Sequence, residues 1–302
     1  MLLTPWLWAV FTLIAAAAQT VRNATQRSLT ATLGTVGATH VRFLFGLPFA
    51  IIFLIGVMLV LDRGLPNPPL VFWPWVIEGA AAQFAATALM LAAMGERSFV
   101  VAIAYIKTEP VQVALFGLIL LGDPVTWPMA LAIVIATAGV VLMSIKPGAQ
   151  AEMFSGGLRP TLLGLGAGAL FGLSAIGFRG AILSLKDPSF VMAATFTLVV
   201  GLALQTVLLT TYLYVRDRAV LVAIFKAWRP SLFAGFMGAL ASQFWYLGFA
   251  VATAASVRTL ALVEVLFAQG VSAFVFGQRT SPREGLGIVL IVVGVVLLLW
   301  AY

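Results

Sequence analysis

The chain has 302 residues, of which 62% are hydrophobic and 9% charged, against roughly a quarter charged in an average water-soluble domain. That excess of apolar residues must face lipid, so a soluble globular protein is excluded. The 17 basic and 10 acidic residues leave a net charge of +7, but the cations stand singly between long apolar runs, which argues against a nucleic-acid partner and for a membrane orientation signal.

Zero cysteines and one histidine exclude a disulfide framework, a thiolate metal site, a cysteine nucleophile and a histidine cluster. No cofactor and no metal is expected. A helix needs about 20 apolar residues to cross about 30 Å of hydrocarbon. Cutting the chain where charges, Pro and Gly collect predicts ten spans, with cores at 5–25, 38–61, 70–94, 99–121, 125–145, 161–183, 189–215, 230–252, 256–277 and 284–302. A transmembrane β-barrel would need alternation of apolar and polar residues, and the run 286–300 (LGIVLIVVGVVLLLW) has none.

Span 1 carries Gln19, Arg22, Asn23 and Gln26, spaced i, i+3, i+4, i+7 and therefore on one helical face. Arg22 falls about a turn from the expected membrane end, so it either contacts a ligand or snorkels to the headgroups. His40 and Arg42 open span 2 near the interface and are expected to anchor at the headgroups; Glu78, one turn into span 3, is placed to pair with either. Trp73 and Trp75 suit the same interface.

Span 4 repeats the pattern with Tyr105, Thr108, Glu109 and Gln112. Such a stripe faces a wet cavity or a neighbouring helix. Lys107 lies beside it, and a charge at mid-membrane costs about 2.5 to 3.5 kcal/mol on insertion scales, so Lys107 and Glu109 either serve a cavity or pair as structural glue. Pro110 cannot donate to the carbonyl of Ile106, which frees an acceptor and favours a kink. In span 5, Ala132, Ala136 and Gly139, and in span 6, Gly164, Gly168 and Gly172, give the small-residue spacing of close helix packing.

The stretch 146–160 (KPGAQAEMFSGGLRP) is a polar linker that halves the chain, and 216–229 is the other polar stretch. Arg179 in span 6 faces the same two readings as Arg22. Span 8 sets Ser242, Trp245, Tyr246 and Phe249 on one face beside Gln243, an aromatic wall for a planar, apolar or cationic ligand or else a lipid-facing surface. In span 9, Glu264 has Leu260, Ala261, Phe267 and Ala268 on its own face. A carboxyl in such company can carry a proton, which makes Glu109 and Glu264 the candidates for proton coupling; a structural ion pair with Lys107 or an arginine is the plainer reading.

An internal repeat appears at an offset of 155: residues 105–143 lie over 260–298, placing Glu109 on Glu264, Gly122 on Gly277 and Gly139 on Gly294, while Gly46 falls on Gly201. At an offset of 157, Arg22 falls on Arg179. An odd number of spans per half forces the halves to lie upside down to each other, the inverted-repeat design of many secondary transporters. The phrases 122–143 (GDPVTWPMALAIVIATAGVVLM) and 277–298 (GQRTSPREGLGIVLIVVGVVLL), with the five-plus-five layout, resemble the repeat ends of the EamA-type drug/metabolite transporter superfamily. Family repeats usually read Gly-Glu at that point; this chain has Gly122-Asp123 and Gly277-Gln278. The resemblance implies ten helices about a central cavity lined by spans 1, 3, 4, 6, 8 and 9, two five-helix repeats at 1–145 and 161–302, and termini in the cytoplasm.

Charge argues the opposite orientation. Loops after odd spans hold Arg27, Arg97, Lys146, Arg159, Arg216, Arg218, Lys226, Arg229, Arg279 and Arg283, whereas loops after even spans hold Arg63, Lys186 and Arg258. Positive-inside counting therefore puts both termini outside.

The reading is an all-α, multi-pass protein of the bacterial inner membrane and not an enzyme: no P-loop, paired-Asp motif or nucleophile elbow is present. It is expected to be a secondary active transporter of a small anionic or zwitterionic metabolite, amino-acid-like or vitamin-like. The alternatives are a translocase for lipids or lipid-linked headgroups, or an exporter of multiple drugs and toxic compounds. Its partners are the small-molecule substrate and membrane lipids, with no nucleic acid, as a monomer or homodimer. The expected substrate-binding residues are Gln19, Arg22, Asn23, Tyr105, Lys107, Thr108, Glu109, Gln112, Arg179, Ser242, Trp245 and Tyr246.

Overall fold

A computed structural model describes residues 6–94, 104–144, 158–276 and 281–301. Among these residues all regular structure is helical, as continuous apolar sequence demands in lipid, where backbone groups must be satisfied within the segment. Among the described residues seven helices are long and apolar enough to cross a membrane.

Helix α1 (Leu7–Leu44) is broken once, at Gly34, where φ is +66° and ψ 175°. A side chain rarely adopts that φ, so glycine marks the turn. The two arms fold back on each other: Gln26 Nε2 donates to the Ala38 carbonyl at 2.8 Å, a reach that about 18 Å of straight helix between them would forbid. The first arm thus runs about two turns past the predicted end of span 1, and the second begins before the predicted start of span 2. Helix α2 (Gly46–Leu61) continues that arm and stops where Asp62 turns left-handed, φ 49°.

The proline-rich connection 63–71 leads into α3 (Phe72–Met94). Helix α4 (Glu109–Phe116) follows a short helical piece, 104–106, across a turn at Lys107 and Thr108. It widens into a π turn at Gly117–Leu121 and ends on Gly122, φ +68°. Helix α5 (Trp127–Ser144) and α6 (Leu158–Ser184) follow; α6 takes in the last residues assigned to the polar linker, and 146–157 lie outside the described residues.

Helix α7 (Phe190–Arg216) is capped by Ser189, whose side chain accepts from the Met192 amide. The stretch expected as a polar loop folds into α8 (Arg218–Lys226), capped by Asp217. Helix α9 (Trp228–Val251) comes next. Predicted span 9 is two helices, α10 (Ala254–Leu260) and α11 (Val263–Phe276), separated by a turn at 261–262. Helix α12 (Pro282–Trp300) opens on a capping box of Ser281 and Glu284, which satisfies two amides reciprocally.

The chain packs as two compact units. One comprises Met1–Ala9, Ala81–Ile176 and Ala252–Tyr302; the other comprises Val10–Ala80 and Gly177–Val251. Each draws on both halves of the sequence. In the first, α5 lies along α12 and α4 packs on α10. The Cβ position of Gly139 comes within 2.7 Å of the Gly287 carbonyl, and that of Gly294 within 2.7 Å of the Ala136 amide, so the small residues read as packing signals permit backbone contact. In the second, α2, α7 and α9 pack mutually, and Gly235 lies against Phe45.

Candidate functional site

Each unit has its own polar cluster. In the second unit, Arg22 is 7% and Arg179 8% exposed. Because the first arm of α1 extends to residue 33, Arg22 sits about three turns from its end, and the snorkelling alternative gives way to a buried guanidinium. Arg22 Nη2 donates to Asn23 Oδ1 at 2.7 Å, and Arg179 Nη1 donates to the Phe249 carbonyl. The stems of Arg22 and Arg42 converge on α9, both within 3.4 Å of the Gly238 Cβ position.

The aromatic wall of α9 is buried rather than lipid-facing: Ser242, Trp245, Tyr246 and Phe249 are each at most 8% exposed. Trp245 Nε1 donates to Gln19 Oε1 at 3.2 Å, which joins two predicted site residues 226 positions apart. Tyr246 tilts against Phe178 with ring centroids 5.0 Å apart. Beside them Gln243 Nε2 donates to Thr195 Oγ1 at 2.8 Å.

His40, expected to anchor at the headgroups, is enclosed by protein instead. It is fully buried and its Nε2 lies 3.1 Å from Thr210 Oγ1, on the helical arm that starts after the turn at Gly34. The Glu78 carboxylate sits where a Cβ on Gly177 would be, so that glycine makes room for a charged group on α3.

The first unit holds the other cluster. Tyr105 supplies its carbonyl to Thr108 Oγ1 at 2.7 Å, and Gln112 Nε2 lies 3.4 Å from both Thr108 Oγ1 and the Leu165 carbonyl of α6. Lys107 occupies the turn itself. Glu109 opens α4, where a carboxylate favours the positive end of the helix dipole, and it accepts from Arg258 Nε at 2.6 Å, with Arg258 Nη2 on the same oxygen. The sequence places Arg258 in a loop after span 8. It lies instead on α10, its side chain 20% exposed against 14% for Glu109, and the partner of Glu109 is therefore neither Lys107 nor a loop cation.

Glu264 opens α11 as Glu109 opens α4. Both helices are interrupted one or two residues before the acid, at 107–108 and at 261–262. Pro110 accounts for the first break, since the Val111 amide bonds back to Thr108 rather than continuing an α-helical ladder. The second has no proline; there the Leu262 amide bonds to Thr259 and that of Val265 to Leu262. Gly277 and Gln278 of the repeat motif lie outside the described residues.

Residues 6–145 match the model of the EamA-like transporter family. Over that segment, just under half of its length, the chain is similar to the family, and the seven membrane-competent helices among the described residues fit a multi-pass membrane protein. A solved crystal structure, described only as that of a protein, has 17% identity and a TM-score of 0.66, over 95% of this chain and 97% of the other; that likeness shows a shared fold. A search of curated proteins finds no match.

Proposed function

We propose that the protein is a secondary active transporter that carries a small anionic or zwitterionic metabolite across the membrane by alternating access between two inverted five-helix repeats. The observation that carries this reading is the pair of interrupted helices: residues related by the offset of 155, Glu109 and Glu264, each restart a helix just after a break. Breaks at repeat-related positions are where transporters place substrate and coupling ions. The packing of α5 on α12 supports the repeat as well, since Gly139 and Gly294 are related by the same offset and each makes a backbone-close contact with the other helix.

In this reading Arg22 and Arg179 hold the anionic group of the substrate, and Gln19, Asn23, Ser242, Trp245 and Tyr246 shape its surroundings. Tyr105, Lys107, Thr108 and Gln112 lie at or beside the first break, where the helical hydrogen-bond ladder is interrupted and a ligand can be met. Glu109 and Glu264 couple movement to protons, Glu109 by exchanging its Arg258 partner for a proton. The ten-span count, the bacterial inner membrane and termini outside complete the proposal.

A thermal-shift screen of the purified protein against amino acids, vitamins, nucleosides and phosphorylated headgroups tests it, because a ligand that binds the folded state raises its melting temperature. The expected result is a stabilising metabolite whose shift is lost in Arg22→Ala and Trp245→Ala and whose uptake into proteoliposomes loses pH dependence in Glu264→Gln. A binder whose shift survives both cluster substitutions would overturn the site.

A further inference from the structure

Helix α8 presents a surface that the transport reading does not use. Its inner face is set by Ile224, fully buried among Leu29, Leu33, Val41, Leu213 and Ala234, and by Val220, whose methyl lies 2.7 Å from the Gly37 Cβ position. The helix is thus clamped onto the two arms of α1 near their turn. Among the described residues its outer face is exposed, with Phe225 also tilted against Phe45 at 6.3 Å between ring centroids. Arg218, Val222 and Lys226 follow one another at i, i+4, i+8, with Phe225 alongside; Val222 is 55% and Phe225 60% exposed.

Cations flank this apolar strip on both sides in sequence: Arg216, Arg218, Lys226 and Arg229 are all exposed. The local acid is Asp217, and its carboxylate accepts from the Val220 amide as the helix cap. Arg218 lies over the Tyr214 ring at 4.1 Å and Arg229 over the Trp228 ring at 5.4 Å, so aromatic and cationic groups share one level. A strip of Val222 and Phe225 would be costly in water and too charged at its edges for hydrocarbon. The one environment that satisfies both is the boundary between headgroups and acyl chains, and four cations with one occupied acid complement anionic phosphates there, at about the strength of a polybasic juxtamembrane segment.

We propose that α8 lies in the plane of the membrane surface and is a docking site for anionic phospholipid, with Arg216, Arg218, Lys226 and Arg229 on the phosphates and Val222 and Phe225 in the upper acyl region. The same basic loop marks its leaflet as the cytoplasmic one. This proposal does not depend on what the protein carries.

The chain has no cysteine, so Ala219→Cys on the exposed face takes a single bimane label in the full-length protein. The labelled protein is reconstituted in phosphatidylcholine containing phosphatidylglycerol, with one or the other lipid brominated as quencher. The expected result is stronger quenching by brominated phosphatidylglycerol than by brominated phosphatidylcholine, with a relative association constant roughly tenfold in favour of the anionic lipid that falls towards one in R218Q/K226Q and at high ionic strength. Equal quenching by the two lipids, or no quenching by either, would overturn the proposal. The salt series in the unsubstituted background keeps it testable should R218Q/K226Q fail to fold.

Discussion

At the scale of single residues, the site divides into what local spacing encodes and what only packing decides. The stripe Tyr105, Thr108, Glu109, Gln112 and the break imposed by Pro110 were legible because a proline and a 3.6-residue period act within one helix. The ion pair of Glu109 with Arg258 was not, because its members are 149 residues apart and a short connection between spans looks the same whether its arginine points to water or inward. Removing one member of a mostly buried pair strands the other. Glu109→Gln and Arg258→Gln are each expected to destabilise the protein by about 3 kcal/mol, the double variant by less than the sum, measured by unfolding in detergent. Additive losses would show that the pair is not coupled. The burial of Trp245 and its bond to Gln19 were half legible: the shared face was visible in α9, the choice of α1 as partner was not.

The helices were read well where hydropathy is continuous and less well where small and hydroxylated residues interrupt it. Residues 26–37 (QRSLTATLGTVG) read as a loop, yet they form helix on both sides of Gly34. Their hydroxyls bond within the helix, as Thr30 does to the Gln26 carbonyl and Thr32 to that of Leu29, while Leu29 and Leu33 are buried under α8. Tertiary burial overrides weak propensity there. Gly34 has open space around its Cβ position, so Gly34→Ala meets only the backbone term of a φ, ψ region that side chains rarely adopt and is expected to cost about 1 to 3 kcal/mol; a neutral result would show that the arms are not held at that φ. Gly139→Leu, by contrast, would drive a side chain into the Gly287 carbonyl and the Ile291 amide and should cost about 2 kcal/mol or more. Gly285→Leu, with nothing near its Cβ, is the expected neutral control in the same unfolding assay.

For the whole molecule, the membrane class followed from composition, and the division into two units did not, since each unit takes helices from both halves. A repeat visible as a sequence offset says which residues correspond, not which helices pack together. Moving Arg258 from a loop to α10 leaves Arg63 and Lys186 as the cations of even loops, which widens the charge bias behind the proposal that both termini lie outside. The central claim is that residues 155 apart occupy opposite sides of the membrane, and Gly64 and Ala219 are such a pair, both exposed. The direct measurement is the reaction of single-cysteine variants Gly64→Cys and Ala219→Cys with an impermeant maleimide, in intact and then permeabilised cells. The account predicts that Gly64→Cys reacts in intact cells and Ala219→Cys only after permeabilisation; reaction of both from the same side would contradict the inverted repeat and the carrier mechanism built on it.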